Sequence, residues 1–215
     1  MTGRSNMAPL IAALVDGNEM EALAETKRLI TAGVPAQRIV TDGLAPAMES
    51  VDAKCTVEAF NLLEIMLVGR AVSLVADELF PHGRAAIGAK ATVVLATPEG
   101  DVHDLGKNIV RMILVGKGYR VVDLGRNCPI DTLADTAHRE GARAVLVSGL
   151  ITTVIPRVRA VKGALHERGL FEVPVIAGGA ALKQASSEQL NVDYVAQTAF
   201  DGARYLDELT SGGAT

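Results

Sequence analysis

From Thr92 onward, short aliphatic runs alternate with segments of helical periodicity, and this alternation narrows the possible folds more than any other feature of the chain. The runs cover 92–96, 120–124, 144–147, 173–177 and, more weakly, 194–196. Each is apolar almost throughout instead of alternating apolar with polar, the pattern of a strand buried on both faces. Helical segments are expected near 105–115, 130–139, 155–168, 182–189 and 200–209. Strands of this kind separated by helices predict a five-stranded parallel sheet covered on both sides. Such sheets bind ligands outside the carboxyl ends of their strands, near the point where strand order reverses.

The first ~80 residues carry helical periodicity without strand-like runs. Leu10, Ile11, Leu14 and Val15 recur at helical spacing, and Asn18-x-x-Glu21 reads as a cap opening a second helix that Gly33 closes. A third helix is expected over 35–52, with Pro35 in its first turn, and a fourth over 56–80, apolar over much of its surface. Pro81-His82-Gly83-Arg84 breaks the pattern, and 85–90 reads as a linker.

The loop after the first strand run reads Asp101-Val102-His103-Asp104-Leu105-Gly106-Lys107-Asn108. An imidazole can bind a transition metal through one ring nitrogen while the other donates to a carboxylate, which fixes the tautomer and raises ligand basicity. Asp-x-His is therefore chemically sensible as a one-ligand metal site with its own supporting acceptor. Structural zinc wants four ligands, so a metal here would draw most of its coordination from elsewhere, such as a macrocycle. Taken alone, each residue has a plainer reading. His103 can cap a helix or face solvent, Asp101 can form a turn, Asp104 can be a helix N-cap, and Gly106 and Gly178-Gly179 can be ordinary turn glycines.

Asp101-x-His103-x-x-Gly106, followed by Ser148-x-Leu150 and Gly178-Gly179, resembles the three-part signature of cobalamin-binding domains in methionine synthase and in the corrinoid proteins of methyltransferase systems. The similarity continues through 106–110, 122–125 and 148–152, and Gly43-Leu44-Ala45-Pro46-Ala47-Met48 resembles that family's helical cap. Almost the whole chain is covered. The resemblance implies a Rossmann-like (flavodoxin-like) α/β domain with a parallel five-stranded sheet over 91–215. An all-α four-helix-bundle cap would precede it over 1–84, with 85–90 between them. It further implies cobalamin, as methylcobalamin or another corrinoid, with His103 the lower axial cobalt ligand and Asp101 its partner. No catalytic group beyond that pair is expected. Asp104, Leu105, Gly106, Ser148, Leu150, Thr152, Gly178 and Gly179 are the implied cofactor contacts. In that reading Gly106 lets the backbone pass close to the nucleotide tail and Ser148 donates to a nitrogen of its base. Leu150 packs against the base, and the diglycine leaves room for the ribose-phosphate.

Two departures stand out. Where methionine synthase has a serine completing an Asp-His-Ser relay, the ungapped position here is Val154, which cannot pass a proton; Thr152 or Thr153 could substitute. Family members place an aromatic followed by Leu-Pro over the upper face of the corrin, whereas this chain has Phe60-Asn61-Leu62-Leu63-Glu64-Ile65-Met66. Phe60, Asn61 and Glu64 are the upper-face candidates, the plainer reading being that Asn61 and Glu64 face solvent or a neighbouring helix.

The function implied is a carrier of a methyl group on cobalt, a subunit of a methyltransferase system and not a complete enzyme. Its implied partners are a cognate substrate:corrinoid methyltransferase and a second methyltransferase that serves the acceptor, with a reductive activase as a further candidate. A cobalamin-dependent mutase small subunit and a cobalamin-dependent regulator or photoreceptor are the alternatives. The helical segment argues against the first, and the lack of a basic helix-turn-helix segment before Met7 against the second. Hydrophobic residues make up 49% and charged residues 21%, which is a globular composition. A net charge of -4 without a basic run argues against nucleic acid. Cys55 and Cys128 make neither a disulfide framework nor a zinc set. The start does not resemble a signal peptide and the apolar run at 65–68 is too short to span a bilayer, so a cytoplasmic protein without membrane partners is expected.

Overall fold

The computed structural model describes residues 6–57, 62–80 and 89–211, with the backbone alone at 52–57 and 62. The chain divides into two compact units, Met1–Ala89 with Met112–Arg120, and Lys90–Arg111 with Val121–Thr215.

In the first unit, α1 (Ala8–Val15) packs on α2 (Glu19–Thr31), and α2 packs on α5 (Leu62–Leu79). The cap on α2 forms as its sequence predicts: Asn18 Oδ1 accepts from Glu21 N at 3.2 Å while Asn18 Nδ2 donates to the Glu21 carboxylate at 2.9 Å. The helix expected over 35–52 runs further and is not uniform. It comprises α3 (Ala36–Ile39), a π-helical turn Val40–Leu44, and α4 (Ala45–Val57). Pro46 explains the irregularity: it has no N–H to offer the carbonyl four residues back, and its ring crowds that carbonyl, so the preceding turn widens. Ala45 N then bonds Val40 O. The core of this unit is aliphatic, with Leu10, Leu14, Leu29, Ile39, Leu44 and Met48 fully buried. On α5, Ile65, Val68, Ala71, Val72 and Val75 are buried, whereas Leu63, Met66, Leu67 and Leu74 are exposed. The helix expected over 56–80 is described as α5 from Leu62 onward, residues 56–57 belonging to α4 and 58–61 lying outside the described residues; it is broadly apolar, with Leu63, Met66, Leu67 and Leu74 left uncovered.

The second unit is built on a sheet of β1 (Thr92–Ala96), β2 (Arg120–Asp123), β3 (Ala144–Ser148), β4 (Val175–Gly178) and β5 (Tyr194–Val195), in the order β2-β1-β3-β4-β5. The β1–β3, β3–β4 and β4–β5 pairs are parallel. Alternate strand residues Val94, Ala96, Val145, Val147, Val175 and Ala177 share one buried cluster with Leu133, Ala134 and Ala137 of α7 (Ile130–Arg139) and Val158, Val161 and Leu165 of α8 (Ile155–His166). On the opposite face, α10 (Ala199–Ser211) comes so close that a Cβ on Gly202 would lie 3.8 Å from Ile176. Each fully buried Val or Leu contributes roughly 1.5–3 kcal/mol, so a sheet covered on both faces is what these strands require. The single helix expected over 182–189 is instead a 3₁₀ turn, Leu182–Gln184, and a short α9 (Ser187–Leu190). Ser186 and Gln189 form a reciprocal capping box that restarts the helix there. Among the described residues, no helix is long and apolar enough to cross a membrane.

Helix α6 (Leu105–Gly116) follows β1, and its Lys107 is only 2% exposed. Its Nζ donates to Asp123 Oδ2 at 2.5 Å and to Asn108 Oδ1 at 2.8 Å, and Asp123 Oδ1 accepts from Gly125 N at 2.8 Å. Removing one member of a buried pair is costly, though Asp123 would keep Arg111, whose Nε lies 4.0 Å from Oδ2. Asp123 keeps 20% exposure, so water covers part of the loss. Lys107→Met should lower the unfolding free energy in urea by about 1–3 kcal/mol, and adding Asp123→Asn to the same chain should recover part of it.

Candidate functional site

The order β2-β1-β3 makes the chain leave β1 and β3 in opposite directions, so the switch point of the sheet lies between their carboxyl ends. The loop after β1 opens with a turn in which Asp101 N donates to Pro98 O at 3.1 Å. Gly100 occupies that turn at φ +94°, in the left-handed region a side chain would strain. The turn delivers Asp101 into the interior, where it is fully buried.

Three donors converge on that carboxylate. Asp101 Oδ1 accepts from His103 N at 2.9 Å and from His103 Nδ1 at 2.7 Å, and Oδ2 accepts from Leu150 N, in the loop after β3, at 2.6 Å. Burial works against the charge. The amides of His103 and Leu150, the His103 ring and the Ile151 amide outweigh it and hold the carboxyl below its ordinary range. A charged carboxylate can only accept, so Nδ1 carries the proton and Nε2 presents its lone pair outward. The His103 side chain is 50% exposed, and Thr97 Oγ1, from a buried residue, donates to its carbonyl at 3.2 Å. Val102 and Leu105, near His103 in the chain, and Leu150, whose amide reaches Asp101, are also exposed, 57%, 43% and 47%. An open imidazole among uncovered aliphatic side chains suits a large, partly apolar ligand.

The remaining motifs meet beside it. Ser148, the last residue of β3, pairs in register with Gly178, the last of β4, and Gly149 N donates to Gly178 O at 2.9 Å. A Cβ on Gly106 would come within 3.4 Å of Ser148 Oγ. A Cβ on Gly179, at φ +102°, would lie 2.4 Å from Gly149 O, so only glycine fits. Small residues thus let the loops after β1, β3 and β4 approach one another closely.

The other expected site residues sit as follows. Asp104 precedes α6 and its carbonyl accepts from Asn108 N at 2.8 Å, the place of an N-cap. Thr152 and Thr153 are exposed on a 3₁₀ turn, while Val154 is fully buried and a Cβ on Gly149 would lie 3.0 Å from it. Phe60 and Asn61 lie outside the described residues, and Glu64 is exposed on α5 of the helical unit. Sequence reasoning missed the Leu150 amide, Thr97, the buried Lys107, and Asn127, which contacts the His103 loop. Asn127 alone left a local signal, as asparagine is a residue type that tolerates positive φ.

Among the described residues, no group of three or more His, Cys, Asp or Glu side chains could hold a metal ion. A half-exposed imidazole held by a buried carboxylate at a sheet's switch point can give one ligand to a metal whose other ligands come from elsewhere, such as a macrocycle. The chain belongs to the B12-binding domain family, whose model matches residues 91–204. It is 34% identical over 80% of its length, and 82% of the relative's, to dimethylamine corrinoid protein 1 of Methanosarcina acetivorans. It is 31% identical to methionine synthase of Mycobacterium tuberculosis over 94% of this chain and 18% of that enzyme. The methanol:cobalamin methyltransferase complex of Methanosarcina barkeri contains a chain of like structure, with a TM-score of 0.82 and 28% identity over 96% of this chain and 80% of that one. The family anticipated from the motifs is thus the family found, with cobalamin as its cofactor.

Because Asp101 titrates below its ordinary value of 3.8, the stability it contributes is fully present above about pH 4 and is lost as pH falls toward its lower folded value. Asp101→Asn should cost about 1–3 kcal/mol at pH 7, and the gap from wild type should narrow in urea denaturations run below pH 4.

Proposed function

We propose that this chain is the methyl-carrying corrinoid subunit of a methyltransferase system. The observation that carries the reading is the His103 imidazole, half exposed, with Nδ1 committed to a buried carboxylate and Nε2 left to bind. Bound cobalamin would supply a cobalt centre able to take a methyl group from a donor and yield it to an acceptor. The chain's own residues hold and tune it. His103 Nε2 would bind the metal, and Asp101 would keep the proton on Nδ1 and strengthen the imidazole as a donor. Val102, Leu105 and Leu150, exposed in the free protein, would be covered by the bound corrinoid and exclude water from it. Gly106 and Gly178 would leave room for the nucleotide tail, Gly179 would let the chain pass against Gly149 beside it, and the Ser148 hydroxyl would donate to its base. Asp104, ahead of α6, and the exposed Thr152 would be further contacts of the cofactor.

In this reading residues 1–84 are the cap domain and 85–90 the linker, with Phe60, Asn61 and Glu64 as upper-face groups. The cognate partner is a substrate:corrinoid methyltransferase, a reading supported by the names of the relatives: dimethylamine corrinoid proteins and a chain in a complex with a methanol-specific methyltransferase. A second methyltransferase would pass the methyl group to its acceptor, and a reductive activase would restore the reduced cobalt. The methyl donor is selected in the partner's pocket, so the family relation leaves methanol and methylamines as the first substrates to try.

The test combines binding and transfer. Purified protein mixed with hydroxocobalamin and desalted should retain an equimolar amount of the corrinoid. Gly106→Leu, which projects a side chain toward Ser148, should keep its circular dichroism but retain little. Reduced, loaded wild type should be methylated, seen in its visible spectrum, by a methanol- or methylamine-specific partner enzyme together with its substrate. A wild-type chain that releases all its cobalamin on desalting would refute the proposal.

A further inference from the structure

Asn127 belongs to none of the motifs, yet it is built against the histidine loop. Its backbone sits at φ +54°, a left-handed conformation that asparagine adopts more readily than most residues. From there both its side chain and its main chain reach the same short stretch. Gly100 N donates to Asn127 Oδ1 at 2.8 Å, and Asn127 N donates to Asp101 O at 2.9 Å. The surrounding main chain explains why a side chain is needed. Beyond the ends of β1 and β2, Thr97 N donates to Gly125 O, Cys128 N to Thr97 O, and Glu99 N to Cys128 O, at 2.8–3.0 Å. That ladder, with its parallel bridge between Pro98 and Cys128, carries the loop as far as Glu99. At Gly100 the chain turns inward, and the partner of its amide is the Asn127 side chain.

Asp101 is therefore held from two sides. Asn127 fixes its main chain from the loop after β2, and Leu150 N fixes its carboxylate from the loop after β3. The carboxylate must meet the imidazole Nδ1 and the Leu150 amide at once, at 2.7 and 2.6 Å, and this requires Gly100 and Asp101 to be set in one orientation. We infer that Asn127 is a positioning residue for His103, setting the direction of its Nε2 through the main chain of Gly100 and Asp101. The consequence for cobalt ligation rests on the corrinoid reading above; the positioning itself does not.

Two variants separate the acceptor from the backbone strain. Asn127→Gly tolerates positive φ but lacks Oδ1, whereas Asn127→Asp keeps an acceptor in the same place. In the cofactor-free protein, the hydrogen-bonded Nδ1–H proton of His103 should give a downfield resonance in wild type and Asn127→Asp, and should be broadened or lost in Asn127→Gly. In cobalamin-loaded protein reduced to Co(II), the ratio of histidine-bound to nucleotide-base-bound cobalt, read by electron paramagnetic resonance, should fall in Asn127→Gly. The fall should be on the order of three- to tenfold, the effect of one hydrogen bond. Asn127→Asp should stay near wild type. An Asn127→Gly protein with a lower melting temperature but an unchanged resonance and ratio would overturn the inference and make Asn127 a turn former only. If Asn127→Gly does not fold, hydrogen exchange in wild type decides: a protected Gly100 amide is expected, and one exchanging at the rate of a free peptide overturns the inference. Should the resonance change as expected while even wild type binds no cobalamin, the corrinoid reading fails and the positioning role stands.

Discussion

The buried charge on Asp101 is the constraint on which the rest of the site depends. A carboxylate removed from water is costly unless its oxygens are satisfied, and here they take hydrogens from the His103 amide, the His103 ring and the Leu150 amide. Those donors come from loops after two neighbouring strands, 49 residues apart in sequence at the longest contact. Satisfying the carboxylate therefore does two things together. It ties the end of β1 to the end of β3, and it settles which nitrogen of His103 carries the proton. The direction in which the imidazole presents Nε2 follows from the fold, since Nδ1 is committed to the Asp101 carboxylate.

The surroundings divide the work between rigidity and openness. Below the histidine loop the structure is tightly tied: Thr97 is buried and bonded on three sides, Lys107 is buried against Asp123, and the Gly149–Gly179 approach has no room for a methyl group. In contrast, Val102, Leu105 and Leu150 remain uncovered. Exposed aliphatic side chains are a standing cost to a free protein and a gain once a ligand covers them. A rigid floor with an open apolar rim is what a site needs if it is to hold a bulky cofactor without rearranging to receive it.

Much of this was legible in the sequence, for reasons that differ by element. Strand β1 and helix α7 have the bounds their patterns predict, because continuous aliphatic burial and a Pro129-led helix start are local signals. The placement of Asp101, Ser148 and Gly178 at strand carboxyl ends also follows from local pattern plus the topology of parallel sheets. What was not legible depends on contacts between distant segments. The π-helical turn before Pro46 and the Ser186 restart of α9 lie where local chemistry overrides periodicity. Lysine is ordinarily solvated, so nothing in the spacing of Lys107 reveals its burial against Asp123, 16 residues away. The amides of Gly100 and Leu150 and the side chain of Asn127 act through loop-to-loop hydrogen bonds, which leave no periodic trace. Val154, read from the motif spacing as a position unable to pass a proton, is packed in the core.

The most direct test of the account is whether His103 Nε2 binds the cobalt. Protein labelled with 15N-histidine, loaded with unlabelled cobalamin and reduced to Co(II), would be compared with the unlabelled protein by electron paramagnetic resonance. Ligation by His103 predicts that the nitrogen superhyperfine pattern changes from the 14N to the 15N form on labelling and that His103→Ala abolishes the change. An identical pattern in labelled and unlabelled protein would mean that the cobalt keeps its own nucleotide base, and would contradict the account.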